Sequence, residues 1–297
     1  MSVDLSIVVP TYNRRETLEV VLPTLLEQKT RVGFEILLCD SGSTDGTAEL
    51  VKRLQEAHPE AALRHLVGPN RGRSGARNMG VSEARGKLVL FTDADIIADP
   101  HLIEEHLRFH RDEQCAVVGR EVQVDTLEEF ERARADLSRG RTLHPDSRKT
   151  LSWLYFLTGN ASVPTATLRQ VGAFDLNFQG YGHEDLELGY RLRRAGLVIR
   201  YNPRAVNYHW HPVGFAEKCE KMRLAGISTV RFYYKHRDIR IKLLLGWNAF
   251  SMAMHWLLSH CQWLLDWVRR HSESRFWSEI LLQYHYLCGV KEGIRTL

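Results

Sequence analysis

Residues 91–100 read FTDADIIADP, an apolar run that closes on three carboxylates, Asp93, Asp95 and Asp99. Two acids spaced two apart where a strand leaves its sheet project to the same side while the chain stays extended, so Asp93 and Asp95 are expected to face one point. Hard oxygen donors placed that way suit Mg²⁺ or Mn²⁺ held largely by a substrate diphosphate, because such ions keep few protein ligands. Asp99 precedes Pro100 and reads instead as the start of the next helix. Far along the chain, His209 closes the strand-like NPRAVNYH, and His211 follows two residues later. Imidazole beside carboxylate is a good donor set for Mn²⁺. The acids of HED, residues 183–185, open a helix, where negative charge is favoured without any chemistry. The flexible GYG before them would equally suit a presented general base.

Something must bring these groups together. The first half alternates apolar β-branched runs (5–9, 34–40, 63–67, 87–93) with helix-period segments, one carrying Leu18, Val21, Leu22, Leu25 and Leu26, another starting near Asp45, a third over 74–84. A βαβα series implies a mostly parallel sheet covered on both faces, with ligands beyond the carboxyl ends of its strands. The segments at those ends, PTYNR, DSGSTDGT, GPNRGRSGARN and DAD, are all polar or Gly-rich. The second half is less regular. Residues 136–150 read as an exposed loop, a short helix is expected near 165–171 and a longer one over 182–196, and LVIRYNPRAVNYHWHP reads as two short strands. From Phe215 onward the pattern is helical.

Composition narrows the partners. The chain has 297 residues, 44% of them apolar, with a net charge of +4, which is too weak a basic field for a dedicated nucleic-acid binder. A phosphorylated small molecule or an anionic surface fits better. Five scattered cysteines form no C-x-x-C pair and point to a reducing compartment. The N-terminal apolar run is too short for a signal h-region, so the expected location is cytoplasmic. A dinucleotide oxidoreductase would need G-x-G-x-x-G after the first strand, where this chain has PTYNRR.

The ordered motifs SIVVPTYNR, DSGSTDGT, RSGARNMG, FTDAD and GYGHEDLELGYRLRRAG resemble those of glycosyltransferase family 2 enzymes with the GT-A fold. The later part is also similar to the galactosyltransferase-like module of chondroitin-type polymerases and polypeptide N-acetylgalactosaminyltransferases. The resemblance covers about residues 3–213. It implies an α/β, Rossmann-like fold, with a mostly parallel central sheet flanked by helices, followed by a helical C-terminal extension. The expected division is 1–214 (1–100 nucleotide-binding, 101–214 acceptor half) and 215–297. It further implies a nucleotide-diphosphate-sugar donor, UDP-sugar favoured over GDP-sugar, a divalent Mn²⁺ or Mg²⁺, and a glycan, lipid-linked or small-molecule hydroxyl acceptor. By the same resemblance Pro10, Thr11, Tyr12 and Asn13 line the nucleoside pocket, Tyr12 lies along the base and Asp40 accepts from it. Arg77 approaches base or diphosphate, Asp93 the ribose or phosphate, and Asp95 and His209 hold the metal, a role His211 matches less well. Asp185 is the general base of an inverting transfer with Glu184 beside it, and Gly159 and Asn160 border the acceptor. A silent sugar-nucleotide or glycan-binding module is the alternative.

Residues 243–268 are long and apolar, but Ser251, His255, Ser259, Gln262 and Asp266 recur every three or four residues as a polar stripe on one helix. Packing on the catalytic domain or in a homodimer, an in-plane peripheral membrane helix on the inner face of the membrane, and a membrane span are the readings, in that order. Basic flanks, 235–242 and 269–270, keep the membrane in view.

Overall fold

The computed structural model describes residues 3–110, 114–139, 141–142, 150–178 and 180–296. The chain divides into two compact units, Met1–Gln179 with Glu184–Pro212, and Gly180–His183 with Val213–Leu297.

In the first unit the alternating half comprises β1 (Leu5–Thr11), α1 (Arg15–Leu26), β2 (Phe34–Asp40), α2 (Thr47–Ala57), β3 (Ala62–Val67), α3 (Gly72–Glu83) and β4 (Leu88–Phe91). There follow β5 (Ile96–Ala98), α4 (Leu102–His110), β6 (Cys115–Val124), α5 (Leu127–Ala135), the two-residue strands β7 (Arg141–Thr142) and β8 (Thr150–Leu151), β9 (Ala161–Pro164), α6 (Thr165–Gln170), α7 (Glu184–Arg194) and β10 (Val198–Trp210). One sheet joins them in the order β3-β2-β1-β4-β9-β6-β10-β5, with β7 on β6 and β8 on β10. The pairs β3-β2, β2-β1, β1-β4 and β6-β10 are parallel, whereas β9 runs antiparallel between β4 and β6. The strands are buried on both faces because their alternating residues serve two cores. Leu5, Ile7 and Val9 of β1 meet Leu18, Val21, Leu22 and Leu25 of α1 on one side, while Val8, Leu37 and Cys39 meet Ala76 and Val81 of α3 on the other.

Two expectations change here. Asp93 and Asp95 sit in a turn after β4, closed by Ile96 N–H donating to the Asp93 carbonyl at 3.2 Å, and not in an extended segment. The two short strands expected around Pro203 are one strand, β10, whose pairing with β6 shifts register between Asn202 and Val206. A bulge absorbs the proline's missing donor, so the strand continues past it. Residues 101–135, without a legible pattern, hold α4, β6 and α5. Of the loop expected over 136–150, residues 140 and 143–149 lie outside the described residues.

The second unit contains α8 (Phe215–His236), α9 (Ile239–Leu244), α10 (Ala249–His260), α11 (Gln262–Arg270) and α12 (Arg275–Thr296). One core joins Ala225 and Val230 to Trp247, Tyr286, Leu287 and Val290, and another joins Leu258, Leu265, Val268 and Leu281. The single helix expected over 243–268 is corrected to three. Gly246, at φ +86°, turns the chain after α9, and Asn248 caps α10 reciprocally, its Oδ1 accepting from Ser251 N–H at 3.0 Å while Ser251 Oγ accepts from Asn248 N–H at 3.2 Å. Cys261 separates α10 from α11. The polar stripe is therefore split: Ser251 is a cap and buried His255 stacks on Tyr284 and sits 3.4 Å from Cys288 Sγ, while Ser259 and Gln262 are exposed. Among the described residues no helix is long and apolar enough to cross a membrane.

Close approach of α3 to the sheet depends on Gly80. A Cβ there would lie 2.5 Å from Val8 Cγ1 and 2.9 Å from Cys39 Sγ, inside a core with no room to yield. Gly80→Ala is expected to lower stability by about 1–3 kcal/mol, as overpacked cores do, despite the better helix propensity of alanine. Urea denaturation measures it, and an unchanged midpoint would refute the close-packing reading.

Candidate active site

Three loops meet at the carboxyl ends of β1, β2 and β4. Thr11 lies opposite Asp40 in the β1-β2 register, and Thr92 N–H donates to the Val8 carbonyl, so the loops after these strands are neighbours. Asn13, in the left-handed region at φ +50°, ties two of them: its N–H donates to Ser43 Oγ at 2.9 Å and its Oδ1 accepts from Thr44 N–H at 2.8 Å. Pro10 and Thr11 are buried while Tyr12 is half exposed. Asp40 is buried. Its Oδ1 accepts from Ser43 N–H and Oγ at 2.8 and 2.7 Å, and its Oδ2 lies 2.9 Å from His65 Nε2.

At the centre stands Arg77 of α3, only 2% exposed. Its Nη2 donates to Asp93 Oδ1 at 2.7 Å and its Nη1 to Glu184 Oε1 at 3.3 Å, while its Cζ lies 5.5 Å from the Phe174 ring centre. Burial alone would lower the Arg77 pKa, but the charges of Asp93 and Glu184 raise it further above an already high value, so it stays a cation. Arg73, one turn earlier on the same helix face, places its Nε 3.7 Å from Glu184 Oε1. Arg77 thus engages protein carboxylates, and the cation that remains substantially exposed beside them is Arg73.

The two adjacent acids of α7 differ sharply. Burial would raise Glu184, yet Arg73 and Arg77 hold its pKa below the usual carboxylate value. Withdrawal from water raises Asp185 to about 7, the Glu184 charge adds to the rise, and Arg77 opposes it. Its Oδ1 accepts from the Leu186 N–H at 2.8 Å, and part of its surface remains open. Neighbouring carboxyls driven apart in this way divide into one that stays charged and one that exchanges a proton near neutrality.

A second cluster forms where β5 pairs with β10. Ile96 lies opposite His209, and Trp210 N–H donates to the Asp95 carbonyl at 2.9 Å, which brings the histidines over Asp95. Asp95 Oδ1 is 3.5 Å from His209 Nε2 and Oδ2 is 3.3 Å from His211 Nδ1, with the two rings parallel to within 7°. His209 Nδ1 turns to Glu121 Oε1 at 3.3 Å, and Gln123 donates to that same oxygen at 2.7 Å. Burial would lower His209, but hydrogen bonds and charge from Asp95 and Glu121 push it up to about 10; burial would likewise raise Asp95, which the two histidines hold low. A metal cation entering here would displace that imidazole proton.

Gly159 and Asn160 lie behind this cluster. A Cβ at 159 would collide with the Glu121 carboxylate, so the glycine makes room for it. Asn160 is buried, donating to the carbonyls of Arg120 and Ala205 and pairing with His106 Nε2 at 2.7 Å, and so braces the sheet. Glu121 and Arg73 escaped the sequence reading, although both left a signal: an acid inside the apolar run CAVVGREVQV, and an arginine four residues before Arg77.

The chain spans about three fifths of the length of the curated relatives it matches. Validoxylamine A glucosyltransferase of Streptomyces hygroscopicus subsp. jinggangensis (strain 5008) is 32% identical over 269 residues, 79% of this chain and 61% of the relative. Among solved structures, the mannosyltransferase PcManGT from Pyrobaculum calidifontis, in complex with GDP-Man and Mn²⁺, superposes with a TM-score of 0.71 at 21% identity, covering 98% of this chain and 86% of that one. S. aureus TarS 1–349, in complex with UDP, does so with a TM-score of 0.58 at 18% identity, covering 98% and 89%. These structural likenesses establish the GT-A fold. The family model described as Glycosyl transferase family 2 matches residues 6–174, more than half of the chain, and this protein belongs to that family.

Proposed function

We propose that the chain transfers a sugar from a nucleotide-diphosphate sugar to an acceptor hydroxyl, with Asp185 as general base and inversion at the anomeric carbon. The carrying observation is the pair Glu184 and Asp185, adjacent in sequence and pushed to opposite sides of the ordinary carboxylate range. Asp185 takes the acceptor proton as the acceptor oxygen attacks the anomeric carbon, and the bond from that carbon to the diphosphate oxygen breaks with its electron pair on the departing nucleoside diphosphate. Glu184 stays ionised, anchored through Arg77. Pro10 to Asn13 and Asp40 hold the nucleoside, with Tyr12 against the base, and Arg73 faces the diphosphate.

Asp95 with His209 and His211 supplies one carboxylate and two imidazoles of the kinds that Mn²⁺ takes, each imidazole facing a different oxygen of Asp95. Among the described residues no group of three or more His, Cys, Asp or Glu is arranged to hold a metal, so the proposed cation would take its other ligands from the donor phosphates. A cation bound there would offset the negative charge that develops on the leaving diphosphate. Glu121 orients His209 through its second nitrogen, the usual partner of a ligating imidazole. A UDP-sugar is the first donor to try, the GDP-Man and UDP of the structural neighbours marking the two bases to compare.

Calorimetric titration with UDP and with GDP, each with Mn²⁺ and with chelator, is expected to give Mn²⁺-dependent binding of one nucleotide that Asp95→Ala weakens tenfold or more; binding of neither would overturn the transferase reading. Asp185→Asn should retain that binding while losing at least about 10²-fold in turnover, the lower end of general-base contributions. Because the ionised carboxylate is the active form, wild-type kcat/KM should fall as pH drops through about 7, and a flat profile from pH 5.5 to 8 would refute the base assignment. Arg77→Met should destabilise the fold by about 3–5 kcal/mol, since two acids lose their buried cation, as read from urea melts.

A further inference from the structure

The outward face of the second unit is apolar where a solvated helix would be polar. On α10 the inward residues are Ser251, His255 and Leu258, while Phe250, Ala253, Met254, Trp256 and Leu257 face out, Phe250 being 77% exposed. The neighbouring helices also expose large apolar side chains. Ile239, Leu243 and Leu244 of α9 are exposed, as are Trp263 of α11, at 72%, and Phe276 at the start of α12, at 65%. Single exposed apolar residues need no explanation, but a run of successive short helices that all turn large aliphatic and aromatic groups outward marks an interaction surface.

Charge identifies the partner. Between 235 and 275 lie seven Lys or Arg (Lys235, Arg237, Arg240, Lys242, Arg269, Arg270, Arg275) against three acids (Asp238, Asp266, Glu273). Asp238 is paired with Arg240 and Asp266 with Arg269. Lysine and arginine at the ends of α9 and α11 therefore flank apolar helix faces that carry two exposed tryptophans, the amphipathic residue favoured at a membrane–water boundary. With α9 only six residues long and α10 and α11 of 12 and 9, none of these helices is long enough to span, but they are suited to lie in the plane of an interface. We propose that residues 237–276 dock this protein on an anionic lipid surface, burying Phe250, Trp256, Trp263 and Phe276 among the acyl chains near the headgroups while the flanking arginines meet lipid phosphate. Neither the family nor the transfer chemistry requires this surface.

The test is flotation of the full chain with vesicles of neutral phosphatidylcholine and with vesicles carrying 30% phosphatidylglycerol. Co-flotation with the anionic vesicles, weakened at 0.5 M salt and accompanied by a blue shift of tryptophan emission, is expected. Phe250→Ser and Trp263→Ser each should lower the partition coefficient about tenfold, as loss of one buried aromatic implies, with circular dichroism and nucleotide binding unchanged. Arg269→Gln with Arg270→Gln should reduce binding to anionic vesicles alone. Failure to float with anionic vesicles, or equal binding to neutral ones, would overturn the proposal. So would a concentration-dependent dimer that Phe250→Ser dissociates in the absence of vesicle binding, because a second copy would then cover the face.

Discussion

A guanidinium sealed inside a protein must be compensated, and Arg77 is compensated by acids from two distant parts of the chain. Asp93 comes from the turn after β4 and Glu184 from the first residue of α7, 107 positions away. Removing a charge from water costs several kcal/mol, so the three groups hold one another in place or not at all. That requirement locks the start of α7 against α3 and the sheet ends. It also divides the labour of the two acids on α7, because the arginine lies closer to Glu184 and leaves Asp185 to bear the cost of its surroundings.

The second cluster obeys a different constraint. Asp95, His209 and Glu121 come from β5's approach, β10 and β6, and their alignment follows from strand register. With Ile96 opposite His209 and Gln123 beside it in β6, the imidazole has no choice but to lie between an acid in front and one behind. Gly159 leaves space for the rear carboxylate. A shift of one residue in β10 would turn His209 to the other face of the sheet and dissolve the cluster. The bulge at Asn202–Val206 is thus part of the site's construction, since it sets the register of the strand that follows it.

Helix patterns in the second unit show how binary patterning misleads when polar residues have local work. Ser251 caps a helix and His255 packs on Tyr284, so both turn inward. The first part of the polar stripe legible in the sequence is buried while Ser259 and Gln262 are exposed, and large apolar residues such as Phe250 and Trp256 are left outward.

Strand and helix alternation over residues 5–91 was legible because each buried strand and each amphipathic helix there carries its own period, and the four polar strand-end loops marked where a ligand belongs. The acids Asp93, Asp95 and Asp185 and the histidines stood out for the same local reason: residue type and spacing. Sequence alone could not tell that Asp93 faces Arg77 while Asp95 faces two histidines, because a turn replaced the extended geometry that would have aimed both at one point. Nor could it reveal Glu121, whose role depends on β6 lying beside β10, or Arg73, whose role depends on α3 lying beside α7. Local periodicity determined which residues could do chemistry. Only long-range pairing, through buried charge and strand register, decided which of them meet.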